Sequence, residues 1–413
     1  MKITIDNSKY EEDTLHFTIC GERDVGLEKS ITNSLRRVLL SEIPCVGFRY
    51  DEGISPDLKM EINHTSSHNE FLLHRISLLP IFIDPFEYRK NYLFQLQVNH
   101  NRDEPFLFVT SDMFEIYPVK DNSEDVNLNI LDINNYDLSK PMGINEKKKI
   151  IRPYIYKGKE YYSLITELKN TYSDDTQNQE LSVYGSPSVS NGKEHSRWKS
   201  VSDAVYTFTK DSDMFKSVSN EKADLKNITN ELERASFIKS LELSESERYY
   251  LRDINGEPYS YDFKITSCHY LKSKDLFLLA NNIMKNKLTN LKNNLINLVQ
   301  GKDTPISVSN HKKSTSTFEL LIPDEDDTLG NVIQSHTVNN FIDDKSLINI
   351  CSYNRSHPLE DHIILSITIN PESKVAENGY EEKLNAIVKF LEDVINDISS
   401  VYDEIISVSE KLL

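Results

Sequence analysis

Toward the C-terminus, Leu384, Ile387, Leu391, Val394, Ile398, Val401, Ile405, Val408 and Leu412 step by 3, 4, 3, 4, 3, 4, 3 and 4 residues without a fault. That alternation puts all of them on one stripe of a helix. At about 1.5 to 3 kcal/mol per fully buried large apolar side chain, so long a stripe has to be covered. The spacing therefore predicts a partner helix, and the best candidate is 273–299. There Phe277, Met284, Leu288, Leu291, Leu295 and Leu298 fall at spacings of 7, 4, 3, 4 and 3, with Ser273 placed to cap the start and Gly301 to stop the end.

A shorter amphipathic helix occupies residues 33–44, Asn-Ser-Leu-Arg-Arg-Val-Leu-Leu-Ser-Glu-Ile-Pro. Leu35, Val38 and Leu39 share a face, Pro44 ends it, and Arg36 and Arg37 leave at diverging angles. An arginine pair rooted in a buried helix suggests a docking surface, although arginine pairs on helices also serve as ordinary surface salt bridges.

Around these helices the pattern reads strand, helix, strand. Residues 2–5, 15–19 and 59–63 alternate as strands do, and 71–80 form a second short helix closed by Pro80 and followed by an Ile-Phe-Ile strand. From residue 85 to about 255 strand-like pieces such as 93–98 and 106–110 alternate with polar loops, which predicts a β-rich insert. Within it, 170–192 and 209–227 are so rich in Ser, Asn, Asp, Lys and Gln that they read as mobile loops. Residues 301–316 read as a linker. Then 318–322 starts a strand, Asp326-Asp327-Thr328-Leu329-Gly330-Asn331 opens a helix, and 348–353 and 362–369 follow as strands before the long heptad helix. Strand, helix, strands, long helix thus occurs twice: 1–84 with 256–300, and 317–413.

Composition narrows the function classes. The 413 residues carry 47 Lys and Arg against 65 Asp and Glu, a net charge of −18 that repels phosphate backbones and anionic membrane. Cys20, Cys45, Cys268 and Cys351 are far apart, which points to reduced structural thiols and away from a zinc knuckle or disulfide framework. No apolar run of about 18 residues and no basic-then-apolar leader occurs. G-x-S-x-G, H-E-x-x-H, G-x-x-x-x-G-K-S/T and G-x-G-x-x-G are all absent, as is a D-x-D-G-D metal triad, so no catalytic residue, cofactor or metal is expected.

Residues 33–44 resemble the N-x-L-R-R-V-L-L-x-E-V/I-P signature of the α-type assembly subunits of multisubunit RNA polymerases: bacterial α, archaeal D and the third subunit of eukaryotic polymerase II. Asn63-His64-Thr65, with Glu70-Phe71, His74-Arg75, Leu78 and Pro80, is similar to the family's N-T-S…H-R-L segment. Gly192-Lys193-Glu194-His195-Ser196-Arg197-Trp198 resembles its G-K-E-H-A-K-W loop. Residues 326–333 with Tyr353, His357 and Pro358 resemble the smaller partner, archaeal L or the eukaryotic eleventh subunit, though Asp327 stands where that motif usually has His. The resemblance touches most of the chain outside roughly 115–185 and 210–255.

This resemblance implies an α+β chain of two tandem dimerisation half-units, each a small antiparallel sheet plus long helices, the first interrupted by the insert. Such a fusion suits a large DNA virus, with the host cytoplasm and virion as its setting; a cellular version would be nuclear. The implied role is a non-catalytic platform that pairs its half-units intramolecularly and docks the second-largest (β-like) and largest (β′-like) subunits together with small polymerase subunits. Little direct nucleic-acid contact, no membrane and no homodimer are expected. The implied inter-subunit residues are Asn33, Arg36, Arg37, Glu42, His74, Arg75, Lys193, Glu194, His195, Arg197 and Trp198. The half-unit pairing residues are Leu35, Met284, Leu288, Leu291, Leu295, Leu329, Gly330, Asn331, Leu391, Val394 and Ile398. Blander alternatives stand beside these: His74 and Arg75 as a half-buried helix pair, Trp198 as a plug for the insert's core, Gly330 as a close-packing requirement. The rival for the whole chain is a stand-alone coiled-coil adaptor or virion structural protein, which needs the heptads alone.

Overall fold

The computed structural model describes residues 2–24, 26–51, 56–100, 105–120, 131–169, 178–310, 316–343 and 346–412. They gather into two compact units, Met1–Leu40 with Asp203–Thr266 and Ser273–Leu413, and Ser41–Ser202 with Ser267–Lys272.

The first unit holds two four-stranded sheets of the same plan. One runs Thr4–Glu11, Thr14–Cys20, Ser260–Ser267, Val201–Phe208; the other runs Ser307–Asn310, Thr317–Pro323, His362–Ile369, Ile348–Asn354. In each, a helix follows the second strand in sequence (Lys29–Ser41, Asp327–Asn340), and a long helix follows the last (Ser273–Val299, Tyr380–Leu412). The likeness extends to register. Thr14–Cys20 and Thr317–Pro323 share one alternation of buried and half-buried residues. Thr14 faces Thr266 and Thr317 faces Thr368, with the hydroxyls 3.0 Å apart in both pairs. Three residues further on, Phe17 faces Phe263 in the first sheet and Leu320 faces Leu365 in the second. Cross-strand pairs of this kind fix which face of a strand meets the core.

The long helices cover one another. Lys285 Nζ lies 2.5 Å from Asp403 Oδ1, and Lys292 Nζ donates to Asn396 Oδ1 at 2.8 Å, so seven residues forward along one helix is seven back along the other: they run antiparallel. Met284, Leu288, Leu291 and Leu295 are buried on one side, and Ile387, Leu391, Val394, Ile398, Val401 and Ile405 on the other. Leu298, Leu384 and Val408 are only half-buried, and the side chain of Leu412 lies outside the described residues. Gly301 stops the first helix by adopting φ +65°, while the amides of Lys302 and Gly301 reach back to the carbonyls of Asn297 and Leu298. Ser273 does not cap it: the residue is already helical, and its hydroxyl donates to the Asp13 carbonyl.

The second unit is antiparallel throughout its named pairings. Its largest sheet runs Leu58–Asn63, Glu180–Gly185, Tyr92–Asn99, Glu115–Pro118, and shorter ribbons pair Pro44–Gly47 with Ser188–Asn191, Phe106–Thr110 with Leu164–Lys169, and Tyr154–Tyr156 with Lys159–Tyr161. Helix Asn69–Ser77 buries Leu72 and Ile76 in a core shared with Val46, Phe48, Phe94 and Phe114. Leu58–Asn63 hydrogen-bonds to Glu180–Gly185, and this unit spans Ser41–Ser202 with Ser267–Lys272.

Four local expectations need correction. The stretch 170–192 is no loop where it is described: 180–185 and 188–191 are strands, because Ser182, Ser186 and Ser188 are buried with their hydroxyls bonded to Glu61, Tyr88 and Asp57. Residues 170–177 lie outside the described residues. The stretch 209–227 contains helix Ser212–Leu225, capped by Asp211 accepting from Asp213 and Met214, and tied to helix Glu231–Glu245 by Arg234–Asp224 and Lys222–Glu245 ion pairs. The segment 81–83 is not a strand; the Phe82 amide bonds to Ile150 instead. The linker 301–316 contains strand Ser307–Asn310, which pairs with Thr317–Pro323.

Ile398 is fully buried in the helix seam whereas Leu384 is half-exposed. Ile398→Ala is expected to lower unfolding free energy by about 3 to 4 kcal/mol and Leu384→Ala by less than about 2, measured by urea denaturation followed by circular dichroism.

Candidate functional site

In the first unit, helix Lys29–Ser41 buries Ser30, Ile31, Thr32, Ser34, Leu35, Val38 and Leu39 and leaves Asn33, Arg36 and Arg37 half-buried on the rest of its circumference. Arg36 Nε donates to Asn33 Oδ1 at 3.0 Å, one turn back, which holds that guanidinium against its own helix. Arg37 goes elsewhere. Its Nε donates to Thr328 Oγ1 at 2.8 Å, and its Nη2 lies 3.6 Å from Asp326 Oδ2, at the first turn of helix Asp327–Asn340. Asp326 caps that helix by accepting from the Thr328 amide at 2.8 Å. The two arginines read from the sequence as one pair are thus divided between two tasks.

Other bonds tie the same two helices and their neighbours. Tyr402 and Ser34, both buried, share a hydroxyl hydrogen bond of 2.6 Å. Lys287 pairs with Glu325 at 2.9 Å, and the Ile3 amide donates to Glu404 Oε1 at 3.0 Å. Leu329 is fully buried, and a Cβ at Gly330 would lie 2.7 Å from Tyr353 Cδ2 and 3.2 Å from Ile363 Cδ1, so the nearest neighbours of that position are on the adjacent strands. Asn331 is half-buried and, with Glu28, Asp253 and Glu257, lines a polar cleft of about 590 Å³.

A site that the sequence reading passed over lies beside that cleft. His336 is 2 % exposed; its Nδ1 lies 2.8 Å from Glu28 Oε1 and its Nε2 2.9 Å from Asp397 Oδ2. Asn340 Nδ2 also donates to Glu28 Oε1, at 2.7 Å. A neutral imidazole has one N–H and could satisfy only one of the two carboxylates, whereas the imidazolium donates to both. Burial by itself would hold its pKa down, but the hydrogen bonds and charges of Glu28 and Asp397 outweigh that and raise it above the ordinary histidine value. The signal was available: His336 falls seven residues after Leu329, on the apolar face.

In the second unit, the Gly-Lys-Glu-His…Trp loop closes on strand Pro44–Gly47 and the residues flanking it. Trp198 is 1 % exposed, with the guanidinium carbons of Arg49 and Arg197 5.4 and 5.5 Å from its ring centroid. Gly47 leaves room for it, since a Cβ there would stand 3.1 Å from the indole Nε1. Arg49 grips Glu194 through both oxygens, at 2.7 and 2.9 Å, and Lys193 pairs with Glu42 at 3.0 Å. Bidentate guanidinium–carboxylate contact of this kind fixes orientation as well as distance. Arg197 Nη1 donates to the Phe48 carbonyl, and its Nε donates to His195 Nδ1 at 3.2 Å; partial desolvation and the adjacent Arg197 guanidinium lower the pKa of that ring from the ordinary histidine value. Asp57, also unheralded in the sequence, is 1 % exposed and accepts from the Arg49 amide, Ser188 and Lys90. His74 stays exposed with its ring 5.6 Å from that of Tyr50, while Arg75 lies over Phe71 and donates to the Leu164 carbonyl at 2.6 Å.

Burial pushes the Cys45 thiol up to about 12 and Cys351 to about 11, which makes both poor nucleophiles and poor metal ligands at neutral pH. Among the described residues no group of three or more His, Cys, Asp or Glu is arranged to hold a metal, and no helix is long and apolar enough to cross a membrane.

No family model matches the chain. Among curated proteins it is similar to the mouse DNA-directed RNA polymerases I and III subunit RPAC1, 32% identical over 126 residues, covering 27% of this chain and 33% of the mouse protein. The human and bovine proteins of the same name are 31% identical over 126 residues, with the same coverage. The chain therefore spans about one third of the length of the curated relatives it matches.

Two outcomes follow from the geometry. Because the folded pKa of His336 is raised, its contribution to stability is complete below the unfolded value of about 6.5 and is lost as pH rises through the folded value. Thermal melts between pH 6 and 9 should show the melting temperature falling with pH in the native chain and falling less in His336→Gln. Gly330→Ala should cost about 1 to 3 kcal/mol in chemical denaturation, and adding Tyr353→Ala should cost less than the two changes summed, since it vacates the space the new methyl needs.

Proposed function

We propose that this chain is a non-catalytic assembly subunit of a DNA-directed RNA polymerase, in which two tandem α-like half-units pair within one polypeptide and the helix bearing Arg36 docks the second-largest subunit. The observation that carries the reading is the duplicated plan of the first unit: two sheets of identical strand order, each followed by a long helix, with the long helices antiparallel. A platform that other polymerases build from two chains needs that plan twice. The likeness to RPAC1 supports it independently, as do the motifs of residues 33–44 and 192–198.

In this reading the half-units are clamped by the helix seam, by Arg37 on Thr328 and Asp326, and by His336 between Glu28 and Asp397. Arg36, held only half-buried by Asn33, is the guanidinium offered to a carboxylate of the β-like subunit. The Trp198 loop, braced by Arg49–Glu194 and Lys193–Glu42, forms a second docking element, with His74 exposed in the same unit. Its mechanism is scaffolding; nucleotidyl transfer belongs to the large subunits.

Co-expression of the tagged chain with the two large subunits of its own genome, followed by affinity purification, tests this. Recovery of both large subunits is expected, and recovery of the chain alone or as a homodimer overturns the assembly reading. Arg36→Glu should reduce recovery of the β-like subunit by roughly tenfold or more with the melting temperature unchanged, the cost of burying an unmatched charge. Arg37→Ala should instead lower the melting temperature. If Arg36→Glu leaves recovery unchanged, the docking role is wrong.

A further inference from the structure

The second unit carries a local reversal of charge. Residues 144–163 contain six cations, Lys147, Lys148, Lys149, Arg152, Lys157 and Lys159, and only two carboxylates, Glu146 and Glu160, in a chain whose net charge is −18. Glu160 is already neutralised, with both oxygens accepting from Lys148 Nζ at 2.9 and 2.7 Å. The segment folds as a two-stranded ribbon, Tyr154–Tyr156 against Lys159–Tyr161, whose turn residues Lys157 and Gly158 both adopt positive φ, +48° and +74°. Two successive positive-φ residues match the right-handed twist of a hairpin, so the ribbon is held in shape by its own turn.

Register decides what the ribbon displays. Tyr154 faces Tyr161, Tyr156 faces Lys159, and Ile155 faces Glu160. Directly opposed residues share a face and successive residues alternate, so three tyrosines and a lysine lie on one side while Ile155 and Glu160 lie on the other. The rings are open to solvent: Tyr154 is 69%, Tyr156 51% and Tyr161 49% exposed. Lys157 Nζ lies 5.3 Å from the Tyr156 ring centroid, at the edge of the same display.

From this juxtaposition we infer that the 154–161 ribbon binds single-stranded nucleic acid, its three tyrosines stacking on bases while Lys157 and Lys159 meet phosphates. Every base has a π-face and every linkage a charge, so aromatic rings flanked by cations suit a single strand of any sequence. The three rings and Lys159 share one face with Lys157 at its edge, a ring-and-cation alternation that matches the base-and-phosphate alternation of a single strand. The net negative charge of the chain confines such contact to this patch and makes it weak and salt-sensitive. The inference stands apart from the assembly reading, because it concerns the chain alone.

The test is fluorescence anisotropy of the full chain with a labelled oligothymidylate of about 20 nucleotides, at roughly 50 and 200 mM NaCl, with an unlabelled poly-glutamate of equal length as competitor. Binding that weakens severalfold at the higher salt, resists the poly-glutamate, and loosens at least roughly tenfold in Tyr154→Ala/Tyr156→Ala/Tyr161→Ala and in Lys157→Glu/Lys159→Glu supports the inference. The corresponding Tyr→Phe triple variant should bind nearly as the native chain does, since it keeps the rings. Melting curves verify that the exposed substitutions leave the fold intact. Absence of binding by the native chain, unchanged binding by the folded tyrosine variant, or displacement by poly-glutamate as readily as by unlabelled oligonucleotide each overturns it, the last in favour of an acidic protein partner. A chain that assembles with large subunits yet fails here loses the ribbon alone.

Discussion

The antiparallel seam between Ser273–Val299 and Tyr380–Leu412 is the contact on which the first unit depends. Each long helix leaves the last strand of its own sheet, so burying one helix against the other fixes both sheets to a common core. The 33-residue helix is wide in its apolar face: besides the 3/4 ladder, Val388, Ile395, Tyr402 and Ser409 form a second buried row, spaced by sevens and one residue on from the first. That second row is where the seam meets the rest of the unit, as Tyr402 shows by reaching Ser34 on the arginine helix.

Polar contacts then specify what the seam alone leaves free. Lys285–Asp403 and Lys292–Asn396 flank the buried ladder and mark the register in which the two long helices meet. Arg37 at the capped start of Asp327–Asn340, and His336 between Glu28 and Asp397, add contacts that the seam does not supply. They are demanding contacts: a buried imidazolium or a guanidinium without its acceptor is costly, so these residues accept one arrangement and penalise neighbours of it.

Periodic elements were legible in the sequence because period and burial are the same fact. The heptad helices, the Gly301 stop and the strands 15–19 and 362–369 are there because alternation at 3.5 or 2 residues leaves a trace that composition does not blur. Polar composition misled where tertiary bonds absorb polar groups. Ser182, Ser186 and Ser188 look like loop residues until Glu61, Tyr88 and Asp57 are brought to them from far along the chain. For Ser212–Leu225 the missing information was its neighbour, since Glu231–Glu245 supplies the counter-charges that hold it. Among candidate site residues, motif spacing singled out Arg36, Arg37 and Trp198 but could not give their partners within the chain, because Thr328 lies 291 residues from Arg37.

The short connection between the helix ending at Val299 and the strand beginning at Ser307 has a consequence for equilibrium and for stoichiometry. Two sheet-and-helix bodies on separate chains would associate only above a threshold concentration and could exchange with homologous bodies. Joined by a few residues, they meet at an effective concentration set by the tether, and their association becomes a step in folding, independent of how much protein is present. Such a tether supplies the two bodies in equal number and brings each apolar helix its cover from the same chain.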